Sequence, residues 1–155
     1  MDHSYIQWIF PNKYQSMFNN ESKPLKDPEI DIFIRNVDLS LTYIECYEMM
    51  LDFYGMRLVN KRTGKLGRSL KPYPNDYKTR YYEAVCGHNC LRIRRILTSL
   101  NNLGFRKYAM ELVNFLKQEI TEGEKPLEQR KWDFDYDWKQ YGECTTKEEI
   151  KELEK

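Results

Sequence analysis

At 155 residues the chain is long enough to build one domain around its own core without disulfides or metal. Basic and acidic residues nearly cancel at a net charge of +1, which excludes a generic polycation, and no apolar run approaches the ~18 residues that a spanning helix needs. Four cysteines with no secretory apolar segment read as reduced thiols of an intracellular protein.

Near the start, Ser4 and Gln7 form a capping-box pattern around Tyr5, Ile6, Trp8, Ile9 and Phe10, and Pro11 stops the run. This predicts a short helical turn that docks Trp8 and Phe10 into the core. Residues 11–28 combine prolines with isolated apolar anchors (Tyr14, Met17, Phe18, Leu25), the pattern of a loop pinned at points, with one helical turn at most. Asp27-Pro28-Glu29 reads as a helix start with Asp27 as cap, followed by Ile30, Phe33, Ile34 and Val37 at helical spacing. Leu39 to Leu58 is the densest apolar segment. Its polar positions Thr42, Glu45, Glu48 and Asp52 collapse onto one narrow stripe, which predicts a helix buried on most sides at the centre of a bundle.

Residues 60–77 contain Gly64, Gly67, Pro72 and Pro74 and no sustained period, and are expected to form a basic loop; residues 77–85 fit a short helix. From Asn89 the pattern sharpens. At about 100° per residue, Ile93, Ile96, Leu97, Leu100 and Leu103 share one face, while Arg94, Arg95, Thr98, Asn101 and Asn102 lie opposite. The expectation is a core helix with a basic outer face, ended by Gly104 in a left-handed conformation. Phe105, Tyr108, Ala109, Leu112, Val113, Leu116 and Ile120 supply its antiparallel partner. No strand pattern competes before residue 130. The fold class expected is therefore all-α, a single bundle of about five to seven helices with long connecting loops over residues 1–128.

The tail, 129–155, differs. Trp132, Phe134, Tyr136 and Trp138 alternate with Asp133, Asp135 and Asp137. This is either an extended arm laid on the bundle or an acidic-aromatic segment without fixed structure, followed by a short helix capped by Thr146 and Glu149. Charge is also segregated. Residues 57–80 carry eight Lys or Arg against one acid, and residues 119–155 carry twelve acids against seven bases.

Three groups of residues, in order, resemble the conserved region of the opioid growth factor receptor family. They are His3-Ser4-Tyr5-Ile6-Gln7-Trp8-Ile9-Phe10-Pro11, then Tyr47-Glu48-Met49-Met50-Leu51-Asp52-Phe53-Tyr54-Gly55-Met56-Arg57-Leu58 with Thr63-Gly64 and Gly67-Arg68, and finally the stretch from His88 through Glu119. The resemblance implies a binding domain that recognises a peptide of the methionine-enkephalin type. It also implies a link to negative regulation of cell growth, a place in the cytoplasm, nucleus or perinuclear membrane, and peripheral membrane association only. The chain is expected to be the bare domain, without the long repeat-bearing tail of vertebrate members.

The chemistry-bearing residues point the same way. Cys86-Gly87-His88-Asn89-Cys90 gathers three potential metal ligands, with Cys144 or His3 as a distant fourth, but zinc sites come as paired clusters and packed thiols are the plainer reading. A cysteine nucleophile beside His88 would need partners that normally converge from distant sequence. With no phosphate loop, dinucleotide fingerprint or zinc-protease motif, no enzyme activity, metal or cofactor is expected. Glu45, Glu48 and Asp52 form a candidate ligand-binding stripe, since a peptide amine followed by an aromatic ring needs a carboxylate beside apolar surface. The competing reading of that stripe is a solvated face or salt bridges to the basic loop. The alternative function is a helical nucleic-acid or phosphate-binding module. It would use Arg62, Lys65, Arg68, Lys71, Arg92, Arg94 and Arg95, with Tyr73, Tyr77, Tyr81 and Tyr82 stacking on bases. A third reading is a scaffold whose aromatic arm docks on another copy of the chain. His3, Gln7 and Asn89 are expected to be structural, hydrogen-bonded groups.

The core-helix assignment has a direct check. Leu97→Asp buries an unpaired charge and should cost about 4 kcal/mol or more, seen as loss of cooperative thermal unfolding.

Overall fold

The last two helices among the described residues set the core. In the computed structural model, which describes residues 5–16, 19–84 and 89–122, these are α5 (Asn89–Asn102) and α6 (Arg106–Glu122). They form the expected pair, joined at Gly104, whose φ of 85° provides the left-handed reversal. Ile93, Ile96, Leu97, Leu100 and Leu103 are all buried, as are Tyr108, Ala109, Leu112, Val113, Leu116 and Ile120. The other helices are α1 (Tyr5–Ile9), α2 (Asp27–Arg35), α3 (Val37–Phe53) and α4 (Tyr77–Ala84). A two-stranded sheet, β1 (Met56–Asn60) and β2 (Lys65–Arg68), interrupts them. The chain is thus mostly α, with six helices among the described residues.

Several local expectations are corrected. Asp27 is the first residue of α2, and Lys26 is the cap: its backbone N–H donates to Glu29 Oε2 at 2.7 Å, which leaves Asp27 to pair with Lys13 at 2.8 Å. Asn36 separates α2 from α3 and caps α3 by accepting from the Leu39 N–H at 3.1 Å. Helix α3 stops at Phe53 instead of continuing to Leu58. Gly55 has a φ of 76°, and a side chain there would meet Arg80 Cβ at 2.8 Å.

The first part of the expected basic loop is a β-hairpin, while residues 69–76 carry no helix or strand, as expected. Asn60 Oδ1 accepts from the N–H groups of Arg62 and Thr63, Gly64 adopts φ 80°, and β2 returns antiparallel with Leu58 opposite Leu66. The strands are too short to show a period, and the pairing supplies what the pattern lacks. Met56 and Leu66 are buried and Leu58 is half-buried, so one side of the hairpin joins the core, with β1 against α3 and β2 against α6. Gly64 seats directly on Tyr108, whose hydroxyl donates to Lys61 O.

Burial also departs from expectation in three places. Phe10 is fully buried as expected, but Trp8 is 58% exposed. Helix α3 is not enclosed: Tyr43, Tyr47, Met50 and Leu51 face inward, while Val37, Leu39, Leu41, Met49 and Phe53 are exposed. Conversely α5 is covered on its supposed outer side, where Thr98 is buried and Arg94 and Arg95 are half-buried. The inward rings of α3 build an aromatic cluster. Tyr43 meets Phe10, Phe33 and Phe105 at 5.4–5.5 Å, and Tyr47 meets Tyr108 at 5.6 Å. The Tyr43 hydroxyl donates to Ser99 Oγ on α5 at 2.8 Å, and burial pushes the Tyr43 and Tyr47 hydroxyls well above the ordinary tyrosine pKa. Residues 123–155, and with them the expected arm and C-terminal helix, lie outside the described residues, as do Met17 and Phe18.

Two glycines with the same backbone sign should behave differently. Gly104→Ala meets nothing nearer than 3.8 Å and should lose only the conformational term, about 1 kcal/mol. Gly64→Ala would place Cβ 2.6 Å from Tyr108 Cδ1 and 3.0 Å from its Cα, and should cost about 2–4 kcal/mol in chemical denaturation.

Candidate functional site

The acidic stripe and the basic stretch meet. Because β1 runs back beside α3, Lys61 Nζ reaches Glu48 Oε2 at 2.8 Å, and beyond β2 Lys71 Nζ reaches Asp52 Oδ2 at 2.6 Å. The Glu48 carboxylate raises the Lys61 ammonium above its usual pKa. Both pairs are largely solvated, so they orient the hairpin more than they stabilise it. Glu45 stands apart, exposed and with no ion-pair partner among the described residues.

Glu45 sits in a row that residue-type counting missed. Val37, Leu41, Glu45, Met49 and Phe53 follow one another at a spacing of four along α3, hence side by side on its surface. All five are exposed, the apolar members by 70, 54, 51 and 40%. The result is an open apolar ridge with one carboxylate at its middle; Ile32 and Ile34 of α2 are exposed as well. The signal was present in the sequence as apolar residues on every side of the segment. Read alone, it indicated burial.

The seven basic candidates do not converge on one surface. Arg68 is held by Glu119 on α6, through Nε to Oε1 at 3.1 Å and Nη2 to Oε2 at 3.0 Å, with its guanidinium 4.8 Å from the Tyr77 ring. Lys71 belongs to Asp52. Arg92 donates to Asn89 Oδ1 at 3.0 Å and lies 5.7 Å from the Tyr5 ring. Arg94 is half-buried, and its carbonyl accepts from the Thr98 hydroxyl at 3.0 Å. Arg95 crosses to α1, donating to Phe10 O at 2.9 Å and Gln7 O at 3.3 Å. Desolvation lowers its pKa to about 10, so it stays charged at neutral pH. Arg62 and Lys65 remain exposed near the hairpin turn. Of the aromatics expected to stack on bases, Tyr73 is exposed, but Tyr77 and Tyr81 are buried and stacked on each other at 5.0 Å, closed to any base. The Tyr82 side chain lies outside the described residues.

The remaining candidates are structural where they can be seen. Gln7 is buried and bonds Ser16 Oγ through Nε2 at 3.4 Å, while Asn89 orients Arg92. Cys46 and Cys90 form no disulfide, and among the described residues no group of three His, Cys, Asp or Glu is placed to hold a metal. His3, Cys86, His88 and Cys144 lie outside the described residues. Among those described, no helix is long and apolar enough to cross a membrane.

The role found for Arg95 predicts a selective effect. Arg95→Ala leaves two carbonyls at the end of α1 without their charged donor and should cost about 2–3 kcal/mol in thermal or urea unfolding. Arg62→Ala, at the exposed turn, should stay within about 0.5 kcal/mol of wild type.

Set beside known proteins, residues 1–153 match the family described as the opioid growth factor receptor (OGFr) conserved region. The chain is similar to the opioid growth factor receptor of Homo sapiens, 38% identical over 119 residues that cover 76% of this chain and 17% of that protein. For the Mus musculus receptor the identity is 35% over 135 residues, 87% of this chain and 20% of that protein. Opioid growth factor receptor-like protein 1 of Xenopus tropicalis is 37% identical over 118 residues, covering 76% of this chain and 22% of that protein. The chain therefore spans about a fifth of the length of these relatives. No solved structure matches it significantly.

Proposed function

Because this chain belongs to the opioid growth factor receptor family, we propose that it is a non-enzymatic recognition domain that binds a peptide or protein partner in the regulation of cell growth. In this reading it acts inside the cell, in the cytoplasm, nucleus or at the perinuclear membrane. What supports the reading is the outward row of α3. A peptide that begins with an amine and an aromatic ring asks for a carboxylate within reach of exposed apolar side chains. Glu45, between Leu41 and Met49, meets that requirement. Glu48 and Asp52 serve as supports, engaged by Lys61 and Lys71.

The polyanion reading retains only Arg62 and Lys65 as open cations at the turn, and steep salt dependence of nucleic-acid binding would be its signature.

A thermal-shift titration with a methionine-enkephalin-type peptide tests the proposal. Ligand at a hundred times its Kd should stabilise the native chain by about 2.7 kcal/mol, and Glu45→Ala should remove most of that shift while leaving the unliganded melting temperature unchanged. No shift with wild type, or an equal shift in Glu45→Ala, would overturn it.

A further inference from the structure

The row on α3 ends beside a cation. Asp52 comes seven residues after Glu45, so it points within about 20° of the same direction and stands about 10 Å farther along the helix axis. Lys71 Nζ sits 2.5 and 2.6 Å from the two oxygens of Asp52, and its side chain remains half exposed. An ammonium carries three N–H donors, so two can serve Asp52 while the third is left for another acceptor. The backbone keeps Lys71 in this place. The Ser69 N–H donates to Gly55 O at 2.8 Å and the Lys71 N–H to Ser69 Oγ at 3.3 Å, which holds the segment after β2 against the end of α3.

Between Glu45 and Lys71 the surface has two flanks. At about 100° per residue, Met49 and Phe53 lie to one side of the line joining them, and both are exposed. On the other side Glu48 is engaged by Lys61. A carboxylate without an ion-pair partner among the described residues, an apolar strip and a cation with a donor to spare thus follow one another.

Charge complementarity then selects the occupant. A ligand with one charged end satisfies only one of the two groups. A short peptide with both termini free carries an ammonium and a carboxylate, one for each. The axial separation plus a hydrogen bond at each end comes to about 16 Å, and three to five extended residues span about 10–17 Å. A longer extended peptide with its amine on Glu45 would carry its carboxylate past Lys71. An internal segment of a folded partner offers neither end.

We propose that the row on α3 is selective for short zwitterionic peptides, with Lys71 anchoring the C-terminal carboxylate while Glu45 holds the amine. This selectivity rests on the peptide reading of Glu45 and adds the residue that sets the length and end chemistry of the ligand.

Calorimetric titration of the full chain with the methionine-enkephalin-type peptide, and with the same peptide ending in an amide, tests it. Wild type should bind the free-acid form about three to five times more tightly, as one largely solvated ion pair provides. Lys71→Arg should keep that preference. Removing both charges, in the double variant Lys71→Ala with Asp52→Asn, should bring the two forms to equal affinity with the unliganded melting temperature unchanged. Glu45→Ala should weaken both forms alike. No binding of either form would overturn the peptide reading and this inference with it. Binding that depends on Glu45 but ignores amidation would overturn this inference alone, as would a preference that survives in the double variant.

Discussion

A helix covered on most sides must find partners for most of its polar groups, and α5 imposes that condition on the rest of the molecule. Its aliphatic face fills the core against α6. Its other face, polar in sequence, is largely covered as well, and several of its polar groups find partners on neighbouring elements or on the helix itself. Ser99, fully buried, accepts from Tyr43 of α3, and Thr98 turns back to the Arg94 carbonyl. Arg95 ties the end of α1 to the centre of the domain. The first described residues are thereby tied to the same helix that packs against the last described ones.

Tyrosine makes this enclosure workable. A core built from Phe10, Phe33, Tyr43, Tyr47, Phe105 and Tyr108 gains the burial of large rings packed mostly edge-to-face or tilted, and hydroxyl edges can then reach across elements. Tyr43 reaches α5, and Tyr108 reaches the backbone of the hairpin turn. Gly64 lets that turn approach Tyr108 so closely that no side chain fits between them. The hairpin is therefore a packed element, and its charges have assigned places.

Those placements divide the charged residues by purpose. Lys61, Arg68 and Lys71 secure the hairpin to α3 and α6 through Glu48, Glu119 and Asp52. A dense basic stretch in a nearly neutral chain thus finds its counter-charges within the same domain. What stays outward is the row around Glu45 and the exposed face of the hairpin, two surfaces of opposite character. The family relation of the chain gives the first its proposed role.

The sequence by itself determined the helices whose pattern is long and regular. Five aliphatic residues on one face from Ile93 to Leu103, a glycine after them and a second amphipathic run specify α5, its reversal and α6, because each feature acts over a few residues. Three groups of residues in order were enough to indicate the family. Only the tertiary structure decided whether a face was buried. Helix α3 looked enclosed and is open on one side, while α5 looked open on its basic side and is enclosed. The pairing of four- and five-residue strands, the exposure of Trp8, and the partner of Arg95 some 85 residues away share one cause. Burial and pairing are properties of what arrives from elsewhere in the chain, and a local pattern carries no record of it.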